Sequence, residues 1–326
     1  MTPLFDLPLA ELREHRTAAQ EPPDLDGYWS RALAEARSQA AEPVLAPHEV
    51  EAYRELDVQD VSFSGGDGHR IRAWYLRPRG AGDTPLACCV TFIGYGGGRD
   101  YPTAHTLYPA CGYATLVMDT RSQGGTWSAG DTPDPGAGAS GAEHPGVLSR
   151  GLASPDTYYY RRLYVDAVRA VETAGALPGV DPARIGVSGM SQGGALALAA
   201  SALAPQLVRL CHSDMPFMCD IERAIDVASD PPYTELVEYL ALHPQLDDAA
   251  RLTLRHVDNA LLASRIEAKT LMCVGLRDTV CPPSTVFAAY NAIRSPKDIV
   301  VMPYSGHEVP SAHVERQLAD FVQTFG

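Results

Sequence analysis

The chain has 326 residues, with 26 basic and 40 acidic side chains, for a formal charge of -14. Spread along the chain, that excess of carboxylates disfavours nucleic acid or any anionic polymer as a partner. No apolar run approaches membrane-spanning length, and the N-terminus lacks the basic start and long apolar core of a signal segment, so we expect a cytoplasmic protein with no membrane partner. The seven cysteines are scattered, four of them in expected strands, which fits reduced buried thiols rather than disulfides or a zinc site.

Taken in chain order, Asp24–Ala36 has the pattern of a helix packed outside the main body. Two strands, at about 51–64 and 70–77, flank Gly65-Gly-Asp-Gly68 and predict a hairpin that opens a sheet. Ala87-Cys-Cys-Val-Thr-Phe-Ile93 is a buried strand followed by the glycine-rich loop Gly94-Tyr-Gly-Gly-Gly98, where backbone can approach a substrate closely. Tyr113–Asp119 predicts the next strand, ending near Arg121-Ser122-Gln123. Gly130–Ser149 has loop composition and a length that suggests a lid or an oligomer contact. A helix follows from Asp156, its expected cap. Tyr160, Leu163, Tyr164, Ala167, Val168 and Val171 share one face, with Arg162, Asp166 and Arg169 opposite. The tyrosines are therefore expected to be packing residues.

The most informative stretch comes next. An apolar strand from Arg184 runs into Gly189-Met190-Ser191-Gln192-Gly193, and the small-residue helix Ala195-Leu-Ala-Leu-Ala-Ala200 follows. This is the G-x-S-x-G nucleophile elbow in its expected strand–turn–helix context. A phosphate loop would want a lysine beside the serine, and none is near. An elbow demands an acid and then a histidine, each just after a later strand. Thr270–Leu276 predicts a strand followed by Asp278, and Asp298–Tyr304 another followed by Ser305-Gly306-His307. Strand C-termini are where open α/β sheets bind ligands. His212, after the expected strand Val208–Cys211, is the nearest competing histidine.

These positions predict an α/β-hydrolase fold, a mostly parallel twisted sheet with helices on both faces. It forms a single domain over 1–326, with a helical and hairpin extension over about 1–80. Ser191 is the candidate nucleophile, His307 the base and Asp278 its orienting acid. The backbone N–H groups of Gln192 and Tyr95 are the candidate oxyanion donors. No metal constellation or dinucleotide fingerprint stands out, so no cofactor is expected.

Asp156-Thr-Tyr-Tyr-Tyr-Arg-Arg-Leu-Tyr164, Cys281-Pro-Pro-Ser-Thr-Val-Phe287, Asp6-Leu-Pro-Leu-Ala-Glu-Leu12, Ser191-Gln-Gly-Gly194 and His307-Glu308 resemble the acetyl xylan esterase/cephalosporin C deacetylase family from about residue 4 to 325. The resemblance implies the same triad and oxyanion donors. It also implies a narrow acyl pocket bounded by Tyr95, Pro232 and Val280, a small acetylated sugar or antibiotic as substrate, and a homo-oligomer, commonly a hexamer. Two positions depart from the family. Ser122 stands where Arg-Gly-Gln would carry glycine, and Ile93 stands where a histidine is usual. If the family glycine uses φ > 0 there, Ser122 is strained or the loop shifts. A thioesterase or acyltransferase on the same fold is one alternative reading, and a non-catalytic binding protein is another.

Overall fold

The computed structural model describes residues 5–82, 84–135 and 146–326. Nine strands form one sheet: β1 (Val44–Pro47), β2 (Leu56–Ser64), β3 (Arg70–Pro78), β4 (Leu86–Phe92), β5 (Ala114–Met118), β6 (Val180–Met190), β7 (Leu210–Asp214), β8 (Lys269–Gly275) and β9 (Lys297–Met302). Their order across the sheet is β1-β2-β3-β5-β4-β6-β7-β8-β9. The pairings from β1 to β5 are antiparallel, and those from β5 through β4 to β9 are parallel. Parallel strands need helical crossovers that cover both faces, which is why the central strands are apolar runs rather than alternating ones. Val187, Cys88, Val90, Leu116 and Cys211 are all buried.

The expected hairpin is present, but its first strand starts at Leu56, because residues 50–54 close tight turns instead. β1 was not anticipated. Four residues ending in proline carry too little alternation to signal a strand.

The tyrosine-rich helix spans Tyr159–Ala176 and differs from expectation in two ways. Asp156 does not cap it. The residue before the first turn is Tyr158, which makes no side-chain cap, and Asp156 lies in a preceding turn. The second difference is that its polar face is not solvated. Asp166 is fully buried and takes a two-pronged ion pair from Arg121, at 2.6 Å to each oxygen. Arg121 also reaches Asp134 at 2.9 Å, and Asp134 accepts from Arg162 at 2.9 Å. Burial opposes charge on Arg121, yet the two carboxylates hold its pKa above the ordinary value. A buried pair survives only with geometry of this quality.

His212 lies inside β7, not after it, and is buried against Asp320 at 3.1 Å. It serves the packing of the C-terminal helix Ser311–Phe325 and not the cleft. All seven cysteines are free, and Cys111 alone among them is exposed. No helix among the described residues is long and apolar enough to cross a membrane. The expected lid or contact loop falls partly on residues 136–145, and the N-terminal reading partly on 1–4, both outside the described residues.

Candidate active site

Ser191 sits between β6 and the helix Gln192–Leu203 at φ 58°, ψ -121°. Such a backbone is costly for a residue with a Cβ and turns the hydroxyl away from both flanking elements. The neighbours explain the glycines. A Cβ on Gly189 would stand 2.3 Å from the Gly193 carbonyl carbon, and one on Gly193 would stand 2.3 Å from the Phe92 oxygen. The Ser191 N–H donates to the Asp214 carbonyl at 2.9 Å, tying the elbow to the end of β7.

Asp278 follows β8 and is fully buried. Its Oδ1 accepts the N–H groups of Val280 and Cys281, at 2.9 and 2.8 Å, and its Oδ2 lies 2.7 Å from Nδ1 of His307. Those bonds place a proton on Nδ1 and leave Nε2 as the basic nitrogen. His307 follows β9, remains partly exposed and lines one cleft with Ser191, Tyr95, Pro232 and Val280. The cleft volume is about 510 Å³. All seven residues selected from the sequence therefore gather at the C-terminal edge of the parallel strands, Gln192 as the first residue of the elbow helix. Ile93 lines the cleft as well, and packs with Trp74 and Val117 on the far side. Ser122 does adopt φ 57°.

Tyr95 is held on every side. Its hydroxyl donates to Glu235 at 2.8 Å and accepts from the Val147 N–H at 2.8 Å, while its carbonyl accepts from the Trp127 indole at 2.8 Å. Burial, reinforced by the Glu235 charge, raises its pKa, so the phenol stays a neutral donor. Gln192 and its neighbour are N-terminal helix residues, whose N–H groups have no intrahelical acceptor.

Several residues were not assigned roles from the sequence. Trp127, 63% exposed, lies across the Gly94–Gly98 loop: a Cβ on Gly97 would touch its ring at 2.3 Å. A lone tryptophan within a Gly/Ser/Thr-rich loop was its single signal. Gln123 had only its place in the Arg121-Ser122-Gln123 segment, and Glu235 had no signal. Asp214, Cys273 and His313 also converge, with ligand-type atoms within 4.8 Å of one another, a grouping the sequence reading did not anticipate. Asp214 there is already engaged, at 2.8 Å by His313 and 2.9 Å by Gln317.

A mostly parallel sheet with a strained serine at a strand–helix elbow, and an acid and a histidine after the next strands, defines an α/β-hydrolase. The profile of acetyl xylan esterase (AXE1) matches residues 2–325. The chain belongs to the acetyl xylan esterase family, a family of carboxylic-ester hydrolases that remove acetyl groups. Solved structures agree. The acetyl xylan esterase from Paenibacillus sp. R4 is 32% identical with a TM-score of 0.92, covering 98% of this chain and 100% of that one. Acetyl xylan esterase 1 from Thermoanaerobacterium sp. JW/SL YS485 is 35% identical with a TM-score of 0.90 over the same shares. Among curated proteins, acetyl esterase Axe7A of Xylanibacter ruminicola is 26% identical over 88% of this chain, which spans 64% of that protein's length. An acylaminoacyl peptidase of Pyrococcus horikoshii, 14% identical with a TM-score of 0.61, shares the fold alone.

Proposed function

We propose that the protein deacetylates small acetylated sugars or antibiotics through an acetyl-enzyme on Ser191. The observation that carries this reading is the 2.7 Å bond between His307 and Asp278, beside the strained Ser191 in one cleft. Serine is not ionised at neutral pH, so attack requires a base. Ser191 Oγ adds to the acetyl carbonyl carbon as its proton passes to Nε2 of His307. Asp278 steadies the imidazolium that forms. The oxyanion is met by the N–H groups of Gln192 and Tyr95. Collapse expels the alcohol, which takes the proton from His307. Water then repeats the sequence and releases acetate.

The walls support a short acyl group. Tyr95, Pro232 and Val280 are apolar boundaries, and longer chains would have to overpack them at about 1–3 kcal/mol. The exposed Trp127 ring at the rim is a flat apolar surface suited to the leaving alcohol. We also read the protein as cytoplasmic and, by its family resemblance, as a homo-oligomer, commonly a hexamer. Light scattering reporting a clean monomer at micromolar concentration would remove that part. The central test combines fluorophosphonate labelling with p-nitrophenyl esters of rising chain length. Labelling lost in Ser191→Ala and a sharp acetate preference support the reading. Unchanged turnover in Ser191→Ala would sink it, and equal kcat/KM for acetate and octanoate would favour a thioesterase or acyltransferase instead.

A further inference from the structure

We propose that Gln123 is a positioning residue whose side-chain amide locks together the two loops that supply the oxyanion donors; this rests on the reading of Ser191 and its donors given above. The two N–H groups come from segments about one hundred residues apart in sequence, and neither loop alone fixes their spacing. Two amides join them. Gln123 Oε1 accepts the Gly96 N–H at 2.6 Å, and Gln123 Nε2 donates to Gln192 Oε1 at 2.9 Å. The Gln192 side chain in turn donates from Nε2 to the Ile93 carbonyl at 3.2 Å. Ile93 and Gly96 bracket Gly94-Tyr95, so the bonds hold the Tyr95 peptide from both sides and refer it to the residue that carries the other donor.

The clasp is itself held rigidly. Gln123 Nε2 also donates to the Tyr159 hydroxyl at 2.9 Å, which donates to the Arg121 carbonyl at 2.6 Å. The Tyr160 hydroxyl donates to Gln192 Oε1 at 3.0 Å. Tyr159, Tyr160 and Gln192 are buried, so water does not compete for these bonds. Arg121 is fixed by Asp166 and Asp134, and the left-handed turn at Ser122 delivers Gln123 from that anchor to the clasp. This gives the packed tyrosines and the buried ionic cluster a shared consequence at the site. Pre-organised donors act on the transition state more than on bound substrate, so the clasp should govern kcat rather than KM.

The experiment uses the full-length protein. Gln123→Met keeps volume and removes every hydrogen bond; Gln192→Met keeps the backbone donor and removes the other half of the clasp. For p-nitrophenyl acetate, with active sites counted by fluorophosphonate titration, kcat per titrated site should fall about 10–100-fold in either variant. KM should stay within about threefold, and affinity for a boronic acid that forms a tetrahedral adduct on Ser191 should fall in step with kcat/KM. If Gln123→Met does not fold, Gln192→Met decides by the same readouts. A kcat per site within twofold of wild type, or a loss confined to KM or to melting temperature, overturns the inference. Should Ser191→Ala retain turnover, the functional reading fails instead, and the two failures are distinct.

Discussion

Two histidine–carboxylate pairs lie at neighbouring strand ends, and only one faces the cleft that holds Ser191. His307 and Asp278 are 2.7 Å apart, and His313 and Asp214 are 2.8 Å apart. The first pair is joined through Nδ1, leaving Nε2 toward a cleft that also holds Ser191. The second is joined through Nε2 inside the first turn of the C-terminal helix, and its Nδ1 is buried with no partner among the described residues. Distance and chemistry are almost the same. What differs is the nitrogen left over and whether a nucleophile and solvent can reach it. The largest expected effects follow. Ser191→Ala and His307→Ala should each lower kcat/KM by about three or more powers of ten. His313→Leu should change it by less than about threefold. Steady-state rates on p-nitrophenyl acetate decide, and comparable losses in the two histidine variants would break the distinction.

For stability the order should reverse. His313 is 3% exposed, and its loss leaves Asp214 buried with the Gln317 amide and the weak Cys273 thiol as side-chain donors. Removing one member of a buried pair costs about 2–4 kcal/mol. His307 is partly exposed, and Asp278 keeps two backbone N–H donors without it, so His307→Ala should cost less than about 1 kcal/mol. Urea unfolding of both variants measures the difference. A His307→Ala protein less stable than His313→Leu would mean that the His307–Asp278 pair also holds the fold.

The cleft-facing pair was legible in the sequence and the enclosed one was not. Ser191, Asp278 and His307 announce themselves locally, each placed by a glycine-bracketed turn or an apolar strand just before it. His313 lies in a helix like any other, and its partner is ninety-nine residues away. Asp166 and Arg162 mislead for a related reason: helical periodicity assigns charges to solvent unless a distant partner such as Arg121 is known to be there. Gln123 was visible within Arg121-Ser122-Gln123, but its contacts depend on a loop and two helix starts meeting. At Ser122 the sequence posed a choice, a strained serine or a shifted loop if the family glycine needs φ > 0, and the turn has the serine at 57°. Ser122→Gly should relieve about 1 kcal/mol of that strain, offset by about 0.4–1 kcal/mol of chain entropy and the loss of the Arg150 bond to the hydroxyl at 2.9 Å. The net shift in unfolding free energy should stay within about 1 kcal/mol, whereas Ser122→Val should lose about 2 kcal/mol. Equal stability of the two variants would show that the turn is not strained.

The smallest expected effect concerns thiols, because each pair also has a cysteine against its carboxylate. Cys281 is fully buried beside Asp278 and lies within hydrogen-bonding reach of Ser191. Burial and then the Asp278 charge push its thiol well above the ordinary range, outweighing the Ser191 bond. Cys273 is raised in the same way, by burial and then by Asp214. The carboxylate that favours an imidazolium disfavours a thiolate, since the two ions carry opposite charge. Burial first, and the Asp278 charge second, thereby keep the Cys281 sulfur protonated. Iodoacetamide at neutral pH should therefore modify one thiol per folded chain, the exposed Cys111, and leave esterase activity unchanged. Peptide mapping after alkylation identifies the site. Alkylation of Cys281 with loss of activity, slowed by acetate or a boronic acid, would show that Asp278 does not hold that thiol neutral and would place a second nucleophile in the cleft.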